Sequence, residues 1–266
     1  MWAAGVRIGL SALRKESVLG LKRLALPVSY WRTAEFAYVW RHLEYPPEAR
    51  ILDLGSPKDL AAFLARYKGY EVVATDILPE AIALSQRYAT AQGLAGNGPG
   101  KVSSEVQDGR SLTYPNDSFD AAFSVSVLEH IPDRGDSEAM RELVRVVKPG
   151  GVVVATIPYD KQYRETFVNR SVYERVQQGG KPVFYERHYD DATLTERLLC
   201  STRTEIADLE YWGEGTIRME KLMTRLGPAQ LFLSPIEPFL SAAFLRRVNA
   251  GVAGHPMAVF FTLRKQ

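Results

Sequence analysis

The sequence predicts an α/β fold, a mostly parallel sheet with helices on both faces. Three observations carry this expectation. From Ile51 to Ile157, short apolar runs alternate with helix-patterned segments, the rhythm of strands joined by crossover helices. The first run, Ile51-Leu52-Asp53-Leu54-Gly55, closes on a glycine. The second, Glu71-Val72-Val73-Ala74-Thr75-Asp76, follows one helix-length later and closes on an acid.

The elements follow in order. Val6, Leu10, Leu13, Leu21 and Leu24 share one side of a helical wheel, and Arg7, Arg14, Lys15, Lys22 and Arg23 lie mostly opposite. Such a basic amphipathic segment either packs its leucines on the domain or lies on an anionic membrane surface. Tyr30 to Leu43 reads as a second helix, stopped by Pro46-Pro47. Residues 1–49 are thus expected as a helical extension, and 50–266 as the sheet domain. Strand one is expected at 50–54 with a helix near 58–67. Strand two, 71–75, enters a helix at 79–91. A glycine-rich loop, Gly93 to Gly100, precedes strand three at 102–106. Strand four covers Phe119 to Ser126 and its helix 138–147. Lys148-Pro149-Gly150-Gly151 reads as a turn before strand five at 152–157. Residues 159–190 are polar and rich in Tyr and Arg, an inserted cap. Asp190-Asp191 can cap a helix over 192–200. Strands six and seven are expected at 205–211 and 257–263, separated by an apolar insertion, 213–256.

Composition narrows the function. The chain has 266 residues, 46% hydrophobic and 24% charged, with a net charge of +2. That is ordinary for a globular protein, and no global field argues for nucleic acid. One cysteine, Cys200, excludes an internal disulfide and any cysteine-built zinc site. His42, His130, His188 and His255 lack metal-ligand spacing, so no metal is expected. No apolar run approaches a bilayer span, and no signal peptide core forms, so a cytoplasmic setting is expected.

The strand–glycine–helix–strand–acid order opens a nucleoside-binding βαβ unit. Gly55 lets a ligand approach the backbone, and Asp76 is placed to accept both hydroxyls of a ribose. That pair alone fits either a dinucleotide or an adenosyl cofactor. A dinucleotide needs further glycines to bring its pyrophosphate onto a helix N-terminus. Here the chain reads Gly55-Ser56-Pro57-Lys58-Asp59.

Five segments together carry a resemblance. They are Ile51 to Gly55, Ala74-Thr75-Asp76, Gln107-Asp108-Gly109, the run Phe119 to Asp133 containing Leu128-Glu129-His130-Ile131-Pro132, and Arg145-Val146-Val147-Lys148-Pro149-Gly150-Gly151. In this order the chain resembles the class I S-adenosylmethionine-dependent methyltransferases, most of all the type 11 branch, from Ile51 to Pro158. The resemblance implies a Rossmann-like sheet of seven strands, the last antiparallel. It implies S-adenosyl-L-methionine as cofactor and S-adenosyl-L-homocysteine as product. The implied cofactor positions are Asp53, Gly55, Ser56, Asp76, Ile77, Asp108, Gly109, Arg110, Ser124 and Ser126. The family usually shows Gly-x-Gly-x-Gly after strand one, and only the first glycine is kept here. Asp120 is expected to be structural.

Methyl transfer requires alignment and sometimes a base. His188 is the first candidate base, with His130 and Tyr159 as further catalytic candidates and Glu129 as support for the cofactor loop. Tyr30, Tyr163 and Tyr185 are candidate aromatic walls. The expected activity is methyl transfer to a small-molecule acceptor, with a lipophilic one favoured by the insertion and peripheral membrane contact allowed by the basic segment. No nucleic-acid partner is expected, and the oligomeric state is not indicated. The alternative is an inactive cofactor-binding partner subunit, motivated by the lost glycines.

Overall fold

In the computed structural model, the described residues are 6, 9, 10, 28–200, 204–215, 217–226, 233–248 and 255–266. The basic segment expected over 6–24 lies outside them except for residues 6, 9 and 10. Helix α1 spans Tyr30–His42, and the alternating part runs β1 Arg50–Leu54, α2 Lys58–Lys68, β2 Glu71–Asp76, α3 Pro79–Ala91 and β3 Val102–Val106. It continues through β4 Phe119–Val125, α4 Gly135–Val146 and β5 Val147–Pro158. A hairpin follows, β6 Arg164–Val168 and β7 Val183–His188. Then come α5 Asp191–Leu194, β8 Thr204–Glu214, α6 Met219–Leu226, α7 Glu237–Phe244, β9 Leu245–Arg247 and β10 His255–Lys265.

The main sheet has the order β3-β2-β1-β4-β5-β10-β8-β9. β1 pairs in parallel with β2 and β4, and β4 with β5. β10 runs antiparallel to both β5 and β8. Two details differ from the expectation of seven strands. β9, from the 213–256 insertion, adds an eighth strand against Trp212–Glu214 of β8. Lys148 to Gly151 stays within β5 and does not leave the sheet as a turn; the register shift opposite Phe119 and Ala121 absorbs it.

Period-two alternation divides the strands between two cores. Ile51, Val72, Phe123, Val154 and Phe260 face α1 and α2. Leu52, Val73, Ala122, Val153 and Phe261 face α4 and the segment after α5. Burial on both faces explains why these strands read as continuous apolar runs. Helix α1 is tied to the sheet by Tyr38, whose hydroxyl lies 3.1 Å from Thr262 Oγ1. Its first residue is tied to α7: the Tyr30 N–H donates to Glu237 Oε2 at 2.7 Å. This brings the start of α1, the cap hairpin and the insertion over the carboxyl ends of β4 and β5.

Candidate functional site

Two cavities open at the carboxyl edge of the sheet, the edge where open α/β sheets bind ligands. The smaller, about 260 Å³, is lined by Gly55, Asp76, Ile77, Asp108, Gly109, Arg110 and Ser126, among others. The larger, about 820 Å³, is lined by Tyr30, Trp31, Arg32, Glu35, Tyr159, Tyr185 and His188, among others. Ser126 and His130 line both.

The smaller cavity is built from strand ends. Gly55 has φ +68, and a Cβ there would stand 2.8 Å from Val127 Cγ1, so only glycine makes this turn. Asp76 closes β2. Its Oδ1 accepts from the Leu78 N–H at 3.0 Å, and its Oδ2 accepts from Lys58 Nζ at 2.5 Å. Asp108 is gripped by Arg110, whose Nη2 donates to Oδ2 at 2.6 Å and whose N–H donates to Oδ1 at 2.9 Å. That hydrogen-bonded pair holds the Asp108 carboxyl below its ordinary range.

Three residues expected around the cofactor stand behind the cavity wall, outside its lining. Ser56 Oγ accepts from the Val125 N–H at 3.0 Å, and Ser124 Oγ donates to the Leu54 carbonyl at 3.3 Å. Both are buried and tie the glycine loop to β4. Asp53 accepts from the Ser56 N–H at 3.1 Å, while its Oδ2 has no hydrogen-bond partner among the described residues. Burial pushes its carboxyl up from 3.8 to about 6, against the pull of Lys58. The folded state therefore holds this proton more tightly than the unfolded chain. The stability linked to it is present below pH 3.8 and is lost as pH rises through 6. Asp53→Asn keeps the bond to Ser56 and removes the charge. It is expected to raise stability at pH 7 by up to about 3 kcal/mol. Denaturant melts of both proteins at pH 4 and pH 7 check this: the gain should appear only at pH 7.

At the junction, Ser126 adopts φ 53, a left-handed conformation uncommon for serine. A polar cluster holds it there. Its Oγ donates to Glu35 Oε1 at 2.7 Å and accepts from Arg32 Nη1 at 2.8 Å, and Thr156 Oγ1 donates to the same Glu35 oxygen at 2.9 Å. Arg32 and Glu35 are site residues that the strand motifs do not reveal. Glu129, one turn on, is 1% exposed, and its Oε2 has no partner among the described residues. Burial pushes its carboxyl well above the ordinary range.

The two histidines differ. His130 Nδ1 lies 2.8 Å from the Tyr185 carbonyl, which can only accept, so Nδ1 carries the hydrogen and Nε2 keeps its lone pair. Burial lowers its pKa, so the ring is neutral at pH 7. His188 Nδ1 faces the Arg164 guanidinium at 3.1 Å and its Nε2 faces Glu186 Oε1 at 3.2 Å, so both nitrogens are engaged. Tyr159 donates to Asp191 Oδ1 at 3.1 Å. Tyr163 is outside the lining and donates to Glu165 at 2.6 Å. The carboxylate at 3.7 Å from Arg187 is the same Glu165, so this tyrosine belongs to the hairpin's outer bonding.

The hairpin is clamped down by a buried charge cluster. Asp136 accepts from Arg197 Nε at 2.7 Å and from the Tyr189 hydroxyl at 2.8 Å, and its Oδ2 lies 3.0 Å from Arg187 Nη1. One potential metal grouping occurs among the described residues, His42, Asp208 and Glu210. It lies away from both cavities, and Arg41 and Arg247 already pair with Glu210.

Comparison with known proteins agrees with this geometry. The type 11 methyltransferase-domain family matches residues 52–155. The methyltransferase GfsG of Streptomyces halstedii is 30% identical over 114 residues, 42% of this chain and 39% of that protein. The 2-methyl-6-phytyl-1,4-hydroquinone methyltransferase of Synechocystis is 31% identical over 112 residues, 41% of this chain and 32% of that protein. The matched part thus spans well under half of either relative. In fold, the chain is similar to an S-adenosylmethionine-dependent methyltransferase of Methanosarcina mazei, with TM-score 0.56 and 20% identity over 85% of this chain and 96% of that one. It is also similar to the [4+2]-cyclase SpnF, with TM-score 0.59 and 21% identity over 90% and 84%. The second shows that this fold serves more than one chemistry. Residues 52–155 thus match the type 11 methyltransferase-domain family, and the fold around them is similar to that of a solved S-adenosylmethionine-dependent methyltransferase.

Proposed function

We propose that the chain transfers a methyl group from S-adenosylmethionine to a small-molecule acceptor held in the larger cavity. One observation carries this reading: two separate cavities meet at Ser126 and His130, one bearing the family's cofactor positions and the other lined in part by residues of the cap. The residues present fit the adenosyl group. Asp76 offers a carboxylate at the cavity wall, and Ile77, Gly109 and Arg110 line the same space. When bound, the cofactor supplies an electrophilic methyl on a sulfonium. The protein's own part is alignment and proton removal. Tyr30, Trp31 and Tyr185 wall the acceptor side, and His130 Nε2, with Glu129 Oε1 at 3.8 Å, is the candidate proton acceptor at the boundary. The wall also carries Arg32, Glu35, Glu129, Lys161, Arg164 and Glu186. That charge favours a polar acceptor over the lipophilic one suggested by the insertion's composition.

Calorimetry with S-adenosylhomocysteine and labelled methyl transfer to candidate acceptors test the proposal. Asp76→Ala removes an acceptor for two hydroxyls and is expected to weaken binding by about 3 kcal/mol, roughly 100-fold. Unchanged affinity would sink the cofactor assignment. A second reading, a cofactor-binding subunit without turnover, draws on Pro57, which lacks an amide donor in the loop where the family has glycines. Binding without transfer to any acceptor would favour it. Among the described residues no helix is long and apolar enough to cross a membrane. Membrane contact through the basic segment stays a proposal, tested by flotation with anionic vesicles at low and high salt.

A further inference from the structure

We propose that Lys58 is a positioning residue for the cofactor ribose, compensating for the glycines this loop has lost. This rests on the cofactor reading above and adds to it a role for a side chain at a position that the family's glycine motif leaves open.

Lys58 is the first residue of α2. A cation there faces the positive end of the helix dipole, so the position is unfavourable unless something nearby repays it. The partner is Asp76, at 2.5 Å, and the contact is well shielded: the lysine side chain is 10% exposed and the aspartate 14%. The pair spans from the loop after β1 to the end of β2. It fastens the two segments that a cofactor must bridge.

Counting lone pairs gives the pair its meaning. An ionised carboxylate offers about four acceptor sites, two on each oxygen. The Leu78 N–H uses one on Oδ1, and Lys58 uses one on Oδ2. One site is left on each oxygen, and a ribose diol has two hydroxyls to donate. The two protein donors also fix the carboxylate plane, since both oxygens are held.

Lys58 does not compete for the same space. Asp76 lines the smaller cavity and Lys58 does not, so the ammonium reaches the carboxylate from the wall. In the family pattern the loop after β1 is shaped by repeated glycines. Here Pro57 and Lys58 occupy that stretch, and the Lys58–Asp76 bond supplies the tether.

The test uses the full chain and two ligands, S-adenosylhomocysteine and its 2′,3′-dideoxy analogue, by calorimetry. The parent protein is expected to prefer the natural ligand strongly. Lys58→Met keeps the length of the side chain and removes the charge. It is expected to weaken S-adenosylhomocysteine roughly tenfold or more. Affinity for the dideoxy analogue should stay within about threefold of the parent value, because that ligand does not use Asp76. Lys58→Arg restores a donor and is expected to recover most of the loss. A general structural defect would weaken both ligands together, and that result overturns the proposal. So does a Lys58→Met protein that binds S-adenosylhomocysteine as well as the parent or better, which would make Lys58 a spectator or a competitor. If the parent binds neither ligand, the cofactor reading itself fails, and the role of Lys58 with it.

Discussion

Asp136→Ala is expected to cost about 3–5 kcal/mol of stability, the usual consequence of removing one partner from a buried ion cluster. Asp136 and Arg187 have no exposed surface, and Arg197 is nearly buried. Removing the carboxylate takes from two guanidinium groups, one of them fully buried, the anion they share. The backbone gives partial relief: Arg187 Nη1 donates to the Ile131 carbonyl at 2.7 Å, and Arg197 donates to the Asp133 carbonyl. Those bonds neutralise no charge, and the partly exposed Glu165 carboxylate, 3.7 Å from Arg187 Nε, offsets Arg187 only in part, so much of the penalty remains. Arg187→Ala should cost less when added to Asp136→Ala than when made alone, because the first change has already broken the pair. Urea melts of the single and double variants measure this coupling. A loss below about 1 kcal/mol for Asp136→Ala would show that the cluster is solvated in solution.

The same cluster links stability to function. Arg187 and Tyr189 stand at the end of the β6–β7 hairpin, and Asp136 begins α4. The hairpin also carries Tyr185, whose carbonyl holds His130, and His188, which lines the larger cavity. Weakening the clamp should therefore loosen the wall of the larger cavity before the sheet. The sheet is buried on both faces and is expected to hold most of the global stability.

The strand ends were legible in the sequence, and the wall of the larger cavity was not. Gly55, Asp76 and Ile77 lie where a strand's apolar run stops, and Asp108 and Gly109 follow the short, polar strand β3 in motif order. Their shared position at one sheet edge follows from parallel topology alone. Asp53, Ser56 and Ser124 fall in the same motifs yet point behind the wall, because a motif gives a position and not a side-chain direction. Lys58–Asp76 joins residues 18 apart through a long flexible side chain, and no local pattern marks it. Arg32 and Glu35 reach the junction only because α1 docks over β4 and β5. A weak signal existed: Glu35 is a carboxylate beside Ala34 and Phe36 in a segment whose other buried residues are apolar or aromatic. β9 is three residues long and carries two arginines, too short and too charged to read as a strand.

Under the proposed function, His130→Gln is expected to lower the rate of methyl transfer by about 10²–10⁴-fold, the usual worth of a positioned base. The argument rests on three features. His130 lines both cavities, its Nδ1 is fixed by the Tyr185 carbonyl, and its Nε2 is therefore the nitrogen left to take a proton. Glutamine retains a donor for that carbonyl and lacks a basic nitrogen, so acceptor KM should change little while kcat falls. Burial holds the ring's pKa below its ordinary 6.5, so the basic form predominates at neutral pH. Activity should be level at pH 7 and fall only as pH drops through that lowered value, giving an acid limb below 6.5 that His130→Gln abolishes. Stability moves in the same direction: the contribution of a neutral buried imidazole is present above the unfolded pKa and is lost as pH falls through the folded one. Activity and melting curves over the same pH range must therefore be recorded together, so that a limb from unfolding is not taken for one from the base. His188→Gln is the control. Both of its nitrogens are already engaged by Arg164 and Glu186, and its loss should cost less than about tenfold and leave the acid limb in place. If His188→Gln removes the limb and His130→Gln does not, the base is His188, and the Arg164 contact must break on acceptor binding.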